Sequence, residues 1–155
     1  MLVLTFTLPP ADSGWSRTWS LPADADPAHV SEMDLRYKYF AAKVKMAVGE
    51  TAVISPGGHV QLVDLALSFK GAEARLGRGE DASFGFTERP EVIHFRAVGP
   101  TVRIESSEKP YQVDVETRVL VSELAQFRNS VYECIAKAVP QIVANESIRQ
   151  IRSRE

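Results

Sequence analysis

The stretch from Glu91 to Gln141 constrains the fold most, because two hydrophobic periods follow one another in it. Ile93, Phe95, Ala97, Val102, Ile104, Tyr111, Val113 and Val115 stand at alternate positions, the spacing that puts side chains on one face of a sheet. Then Leu124, Phe127, Val131, Cys134 or Ile135, and Ala138 recur three and four apart, the buried stripe of one helix. Three antiparallel strands covered by an amphipathic helix are the expected unit, with the rest of the chain packed onto it. Gly99-Pro100 suits a type II′ hairpin: glycine accepts the positive φ and proline's fixed negative φ fits the second position. That turn sets Phe95 opposite Ile104 and Ala97 opposite Val102 on the inner face. His94, Arg96, Arg103, Glu105, Gln112, Asp114 and Glu116 then face outward. Ser122 is the expected N-cap of the helix, with Glu123 in its first turn.

Residues 1–9, MLVLTFTLP, alternate Leu2, Leu4, Phe6 and Leu8 with Val3, Thr5 and Thr7, and read as a first strand closed by Pro9-Pro10. Residues 10–34 are rich in Pro, Asp, Ser and Ala, with Trp15 and Trp19 as large anchors, and read as a long surface loop. Either the tryptophans present a binding surface or they pin the loop; pinning is preferred, because Trp buries a large area wherever it can. The core is expected over 35–140, opening with a hairpin that turns at Gly49. With Val48 opposite Thr51, Met46 pairs with Val53, and Phe40, Ala42, Val44, Met46 and Val48 share the inner face. Lys38 lies at the end of that face, while Tyr37, Tyr39, Lys43 and Lys45 point the other way.

A helix follows through Val63 and Phe69 and ends at Gly71, and AEARLGRGED reads as a solvated connection. Phe84 and Phe86 open the meander, which turns at Glu88-Arg89-Pro90. Pro140 breaks the long helix. Residues 141–155 form an extension in which Ile142, Val143, Ile148 and Ile151 make a short helix and Arg149, Arg152 and Arg154 a mobile basic tail. No internal repeat stands out.

At 155 residues the chain fits one domain, large enough for a core without disulfide or metal staples. A net charge of −2 gives no global attraction to phosphate backbones. The lone Cys134 allows no intrachain disulfide and fits a reducing cytoplasm; its place on the helix stripe marks a buried, inert thiol. The apolar start lacks a basic segment and the roughly 20 residues of a membrane span, so it reads as a strand and not as a signal peptide.

His29, His59 and His94 are scattered, without the short-range partner spacing of a metal site. Gly57-Gly58 precedes a helix but lacks the spacing of a phosphate-cradling loop, and no nucleophile elbow occurs. No metal, no cofactor and no enzymatic activity are expected; catalysis would require His59 or His94 to meet carboxylates in a pocket. The candidate surface for a protein partner is His94, Arg96, Arg103, Glu105, Asp114 and Glu116, with Trp15 and Trp19. Arg96 directly opposite Arg103 is unfavourable unless acidic neighbours or a partner offset it. The alternative ligand face, Tyr37, Tyr39, Lys43 and Lys45, interleaves rings and cations as single-strand nucleic-acid platforms do.

The order of parts over 35–139, with VGETAVI, LVDLALSF and VLVSELAQFRNSV, resembles small bacterial immunity-type proteins. The resemblance covers about two-thirds of the chain and leaves residues 11–32 outside it. It implies a single-domain binding protein that occludes a toxin's active site and has no chemistry of its own; no functional residue carries over. The fold expected is α+β, a twisted antiparallel sheet of about six strands with helices packed on one face. The function expected is protein binding, with a small-ligand or nucleic-acid-binding module as the alternative.

Overall fold

The structure, a computed structural model, describes residues 1–87 and 89–152. Its class is the α+β expected, with antiparallel strands, but the strands form two sheets of four and not one of six. The first sheet contains β1 (Leu2–Thr7), β2 (Ala41–Val48), β3 (Thr51–Ile54) and β4 (His59–Gln61). Between β1 and β2 lie two 3-10 turns, Gly14–Trp19 and Pro27–His29, and a short helix, α1 (Glu32–Tyr37). After β4 comes α2 (Leu62–Gly77), then the second sheet: β5 (Ala82–Gly85), β6 (Val92–Val98), β7 (Thr101–Ser106) and β8 (Gln112–Glu116). The chain ends in α3 (Thr117–Ala138), a 3-10 turn (Pro140–Ala144) and α4 (Glu146–Arg152).

Two sheets form because β2 has no free edge left. β1 lies along one side of it; on the other, β3 pairs with its end and β4 with its start. With those positions filled, α2 carries the chain away and a new sheet begins, an antiparallel meander in the order β5-β6-β7-β8. The inner faces of both sheets and the apolar stripes of α2 and α3 merge into one core. Its spine is a run of phenylalanines in edge or tilted contact: Phe6–Phe127 at 5.5 Å, Phe127–Phe69 at 5.4 Å, Phe69–Phe84 at 5.2 Å and Phe84–Phe95 at 5.5 Å. This run crosses from β1 through α3 and α2 to β5 and β6.

The expected hairpin pairing holds in the second sheet, with Phe95 opposite Ile104 and Ala97 opposite Val102. In the first, Val48 does face Thr51, but Met46 pairs with Ile54 and not with Val53. A bulge takes up Val53, so Val53 and Ile54 are both buried despite being adjacent.

Four other boundaries differ from expectation, each for a local reason. Residues 32–37 are helical because Ser31 caps them, its Oγ accepting from Asp34 N at 3.1 Å, and Arg36 pairs with Glu32 one turn away. Hence the strand starts at Ala41, and Tyr37 and Tyr39 lie outside it. α2 runs through Gly71, where an added Cβ would meet nothing, and stops where Gly79 takes φ +74. There Gly79 N and Glu80 N donate to the carbonyls of Leu76 and Arg75 as in a Schellman cap. α3 grows straight out of β8, so Ser122 sits inside it and is no N-cap.

At the C-terminus Ile142, Ile148 and Ile151 are buried, and Arg149 and Arg152 belong to α4 and not to a mobile tail. Arg154 and Glu88 lie outside the described residues. Arg128 on α3 holds α2 and α4 together, pairing with Glu73 at 2.5 Å and donating to Ile151 O. Among the described residues no helix is long and apolar enough to cross a membrane.

Candidate functional site

The outward face of the second sheet carries the expected charged residues, but its electrostatics are already balanced. Arg96 does stand opposite Arg103. Arg96 Nε donates to Glu105 Oε2 at 2.8 Å and Arg103 Nε to Asp114 Oδ1 at 3.2 Å, while Gln112 donates to the other oxygen of Glu105 at 3.2 Å. Acidic neighbours therefore offset the like charges without any partner. These pairs are open to solvent, so they order the surface more than they stabilise the fold. Among the described residues no helix lies across this face, and Ser83, Arg96, Val98, Gln112, Asp114 and Glu116 are exposed along it.

The two tryptophans do different things. Trp19 pins the long connection: its Nε1 donates to Ala41 O at 2.8 Å and its ring meets Phe40 edge-on at 5.1 Å. Trp15 is 40% exposed and stacks on His59, with ring centroids 4.3 Å apart and planes 13° from parallel.

That stack forms part of a pocket of about 220 Å³, lined by residues from four segments. Trp15 comes from the first 3-10 turn, His59, Val60 and Gln61 from β4, Asp64 and Leu65 from the first turn of α2, and Phe86, Thr87 and Arg89 from the segment after β5. Its polar groups are unevenly satisfied. Asp64 is held by Arg36 at 2.8 Å. The Arg89 guanidinium lies 3.9 Å from the centre of the Phe86 ring, and among the described residues no carboxylate pairs with it. Gln61 donates through Nε2 to Tyr37 O at 3.1 Å, which fixes its amide, and leaves Oε1 buried without a partner. Such an acceptor costs roughly 1–3 kcal/mol until something donates to it. Burial, and then the charge of Lys43, pushes the His59 imidazole below its ordinary pKa, so the neutral ring is favoured in the stack.

The backbone next to the pocket is strained. Phe40, fully buried, has φ +61, alone among the described non-glycine residues in being positive. Its N–H donates to Thr18 O at 2.8 Å, and its carbonyl accepts from Leu62 N, the first residue of α2, at 3.1 Å. The strained residue thus locks the Trp loop and the pocket helix to the same point.

The other candidates do not converge. His29 is exposed and pairs with Asp26 at 2.6 Å, and His94 lies on the second sheet, away from His59. Lys43 and Lys45 point outward from β2, but Tyr37 ends α1 and Tyr39 precedes the strand, so the four do not form a platform on one strand. Burial pushes the Cys134 thiol above its ordinary pKa, which disfavours the thiolate. A buried carboxylate, Glu91, accepts from Ser106 Oγ at 2.6 Å, but that oxygen also accepts from the backbone N–H groups of Glu108 and Lys109 and serves as a turn cap. Tyr111 nearby is pushed up to about 12 by burial and then by the Glu91 charge, and its hydroxyl is buried without a partner. Among the described residues no group of three or more His, Cys, Asp or Glu side chains could hold a metal ion. No family model, curated protein or solved structure matches this chain.

Proposed function

We propose that the protein is a non-enzymatic binding module that holds a protein partner on the uncovered face of its second sheet, in the manner of immunity-type inhibitors that occlude a toxin's active site. The observation that carries this reading is the open four-stranded face, whose charged side chains are held in place by their own ion pairs. A surface ordered before contact loses less side-chain entropy on binding. Along the β8 rim the side chains of Asp114 and Glu116 are 54% and 64% exposed beside Arg103 and Arg118, so the rim offers a partner charges of both signs. Four strands of about six residues span roughly 19 by 20 Å, about 400 Å². That is about half the ~800 Å² per side of a standard interface, so the partner also reaches the Gly99-Pro100 hairpin tip, where Val98 is 46% exposed. Charge reversal on this face, Arg96→Glu/Arg103→Glu or Asp114→Lys/Glu116→Lys, tests the reading: it removes partner binding and leaves the melting temperature nearly unchanged. The nucleic-acid alternative on Tyr37, Tyr39, Lys43 and Lys45 draws less support, because the two tyrosines lie outside the strand that carries the two lysines.

A further inference from the structure

We propose that the outer face of the first sheet binds single-stranded nucleic acid, with Lys43 and Lys45 following the phosphates and Trp15, stacked on His59, receiving a base. This face lies on the other sheet from the protein-binding one, and the two can be abolished separately. Its charge is the first sign. β1 to β4 contain no Asp or Glu, and Lys43 and Lys45 are their only Lys or Arg residues. Both lysines are exposed, and among the described residues neither has an ion pair or a side-chain hydrogen bond. On the second sheet, by contrast, Arg96 and Arg103 are already answered by Glu105 and Asp114. Unpaired cations on strands without carboxylates are complementary to an anion.

Spacing then narrows the anion. Lys43 and Lys45 stand two residues apart on one strand, about 7 Å, close to the step between successive phosphates of an extended single strand. Thr7 and Thr5 lie directly opposite them on β1, both exposed, and bring hydroxyls to the same row. On its other side Lys43 faces His59 on β4, and His59 carries the Trp15 ring at 4.3 Å, nearly parallel. The row of cations therefore ends at a ring pair, where Trp15 is 40% exposed. Phosphates and flat rings together are what a single strand offers. An acidic peptide supplies the charge without regular rings, and an indole laid flat on an imidazole does not project as a membrane anchor does.

Fluorescence anisotropy of the full chain with a labelled oligothymidylate of about eight nucleotides tests this. The slope of log K against log[salt] is expected near about −1.4, that of two phosphate contacts on a single strand. Lys43→Ala/Lys45→Ala should weaken binding about tenfold or more and bring the slope close to zero. Trp15→Ala should weaken it about fivefold or more while keeping the slope. Lys38→Ala/Lys137→Ala removes the same charge from exposed positions outside these strands and should leave binding within about twofold. All three variants should melt near the parent's temperature, because the lysines are exposed and Trp15 partly so. The proposal is overturned if the oligonucleotide fails to bind at millimolar protein, or if its binding survives Lys43→Ala/Lys45→Ala. Polyglutamate binding as tightly as the oligonucleotide would overturn it in favour of an acidic protein segment. Phosphatidylserine vesicles binding where the oligonucleotide does not would overturn it in favour of a membrane surface.

Discussion

The two sheets begin from the same hairpin and end as different surfaces. Residues 47–54 read AVGETAVI and residues 97–104 read AVGPTVRI, identical at five of eight positions. Both turn on a glycine with nearly the same backbone angle, φ +58 at Gly49 and +59 at Gly99. In each half a preceding strand pairs antiparallel with the first arm, β1 with β2 and β5 with β6. The halves part at the third residue of the arm that begins with the threonine. β7 runs straight for six residues, and β8 can add along its whole length. β3 bulges at Val53 and stops at Ile54, so β4 instead folds back beside the start of β2. That displacement brings His59, Val60 and Gln61 to Trp15 and builds a pocket. The straight copy leaves a flat open face. One extra residue in one arm thus separates a concave site from a planar one.

The largest effect should come from cutting the core that joins the halves. Phe69 touches Phe127 on one side and Phe84 on the other, so Phe69→Ala should cost about 3–5 kcal/mol in urea unfolding. A single transition, lost as a whole, is expected; two separate transitions would show that the sheets are stabilised independently.

Deleting Val53 tests the divergence itself. Removal leaves Met46 opposite Ile54 and Ala47 opposite Ala52 in an unbroken register, the geometry of the second hairpin. The loss of a fully buried valine should cost about 1.5–3 kcal/mol, read from the urea midpoint. A loss under about 0.5 kcal/mol would show that the bulge is not held by packing.

The turns should respond alike. At Gly49 and Gly99 an added Cβ would meet nothing within 4 Å, so the cost of Ala is backbone strain alone. Gly49→Ala and Gly99→Ala should each cost about 1–2 kcal/mol and agree closely. A large inequality would mean the shared motif hides different turns.

The smallest effect is on pH dependence on the acid side of neutrality, and it comes from His59 in the pocket half. His59 binds a proton less readily when folded than when unfolded, because burial and then Lys43 disfavour the cation. Its contribution is therefore present above its ordinary pKa of 6.5 and is lost as the pH falls from there through its lower folded pKa. Stability should decline modestly as the pH falls below 6.5, and His59→Gln should flatten that decline. An unaltered slope in the variant would remove His59 from the account.

The second sheet was legible in the sequence because its strict alternation and its Gly99-Pro100 turn admit only one register. The first was not, because Val53 and Ile54 are adjacent and both apolar, so either could pair with Met46 and periodicity cannot choose. Alternating Leu35, Tyr37 and Tyr39 imitated a strand, although Ser31 and Asp34 carried the capping signal of a helix. The repeat of the turn motif is hidden in the sequence because the residues after each turn obey different registers. Trp15 meets His59 only through tertiary packing, and neither residue's neighbours announce it. The Arg128–Glu73 pair likewise joins two helices whose facing sides no local pattern specifies.

The most direct test of the proposed function is a matched affinity capture from source-cell lysate, quantified by mass spectrometry. The wild-type chain, Trp15→Ala and Arg96→Glu/Arg103→Glu serve as baits at equal loading. The account predicts one polypeptide, recovered in stoichiometric amount on the wild type and on Trp15→Ala and lost from the doubly reversed face. Recovery that survives the face reversal, or no stoichiometric polypeptide on any bait, would contradict it.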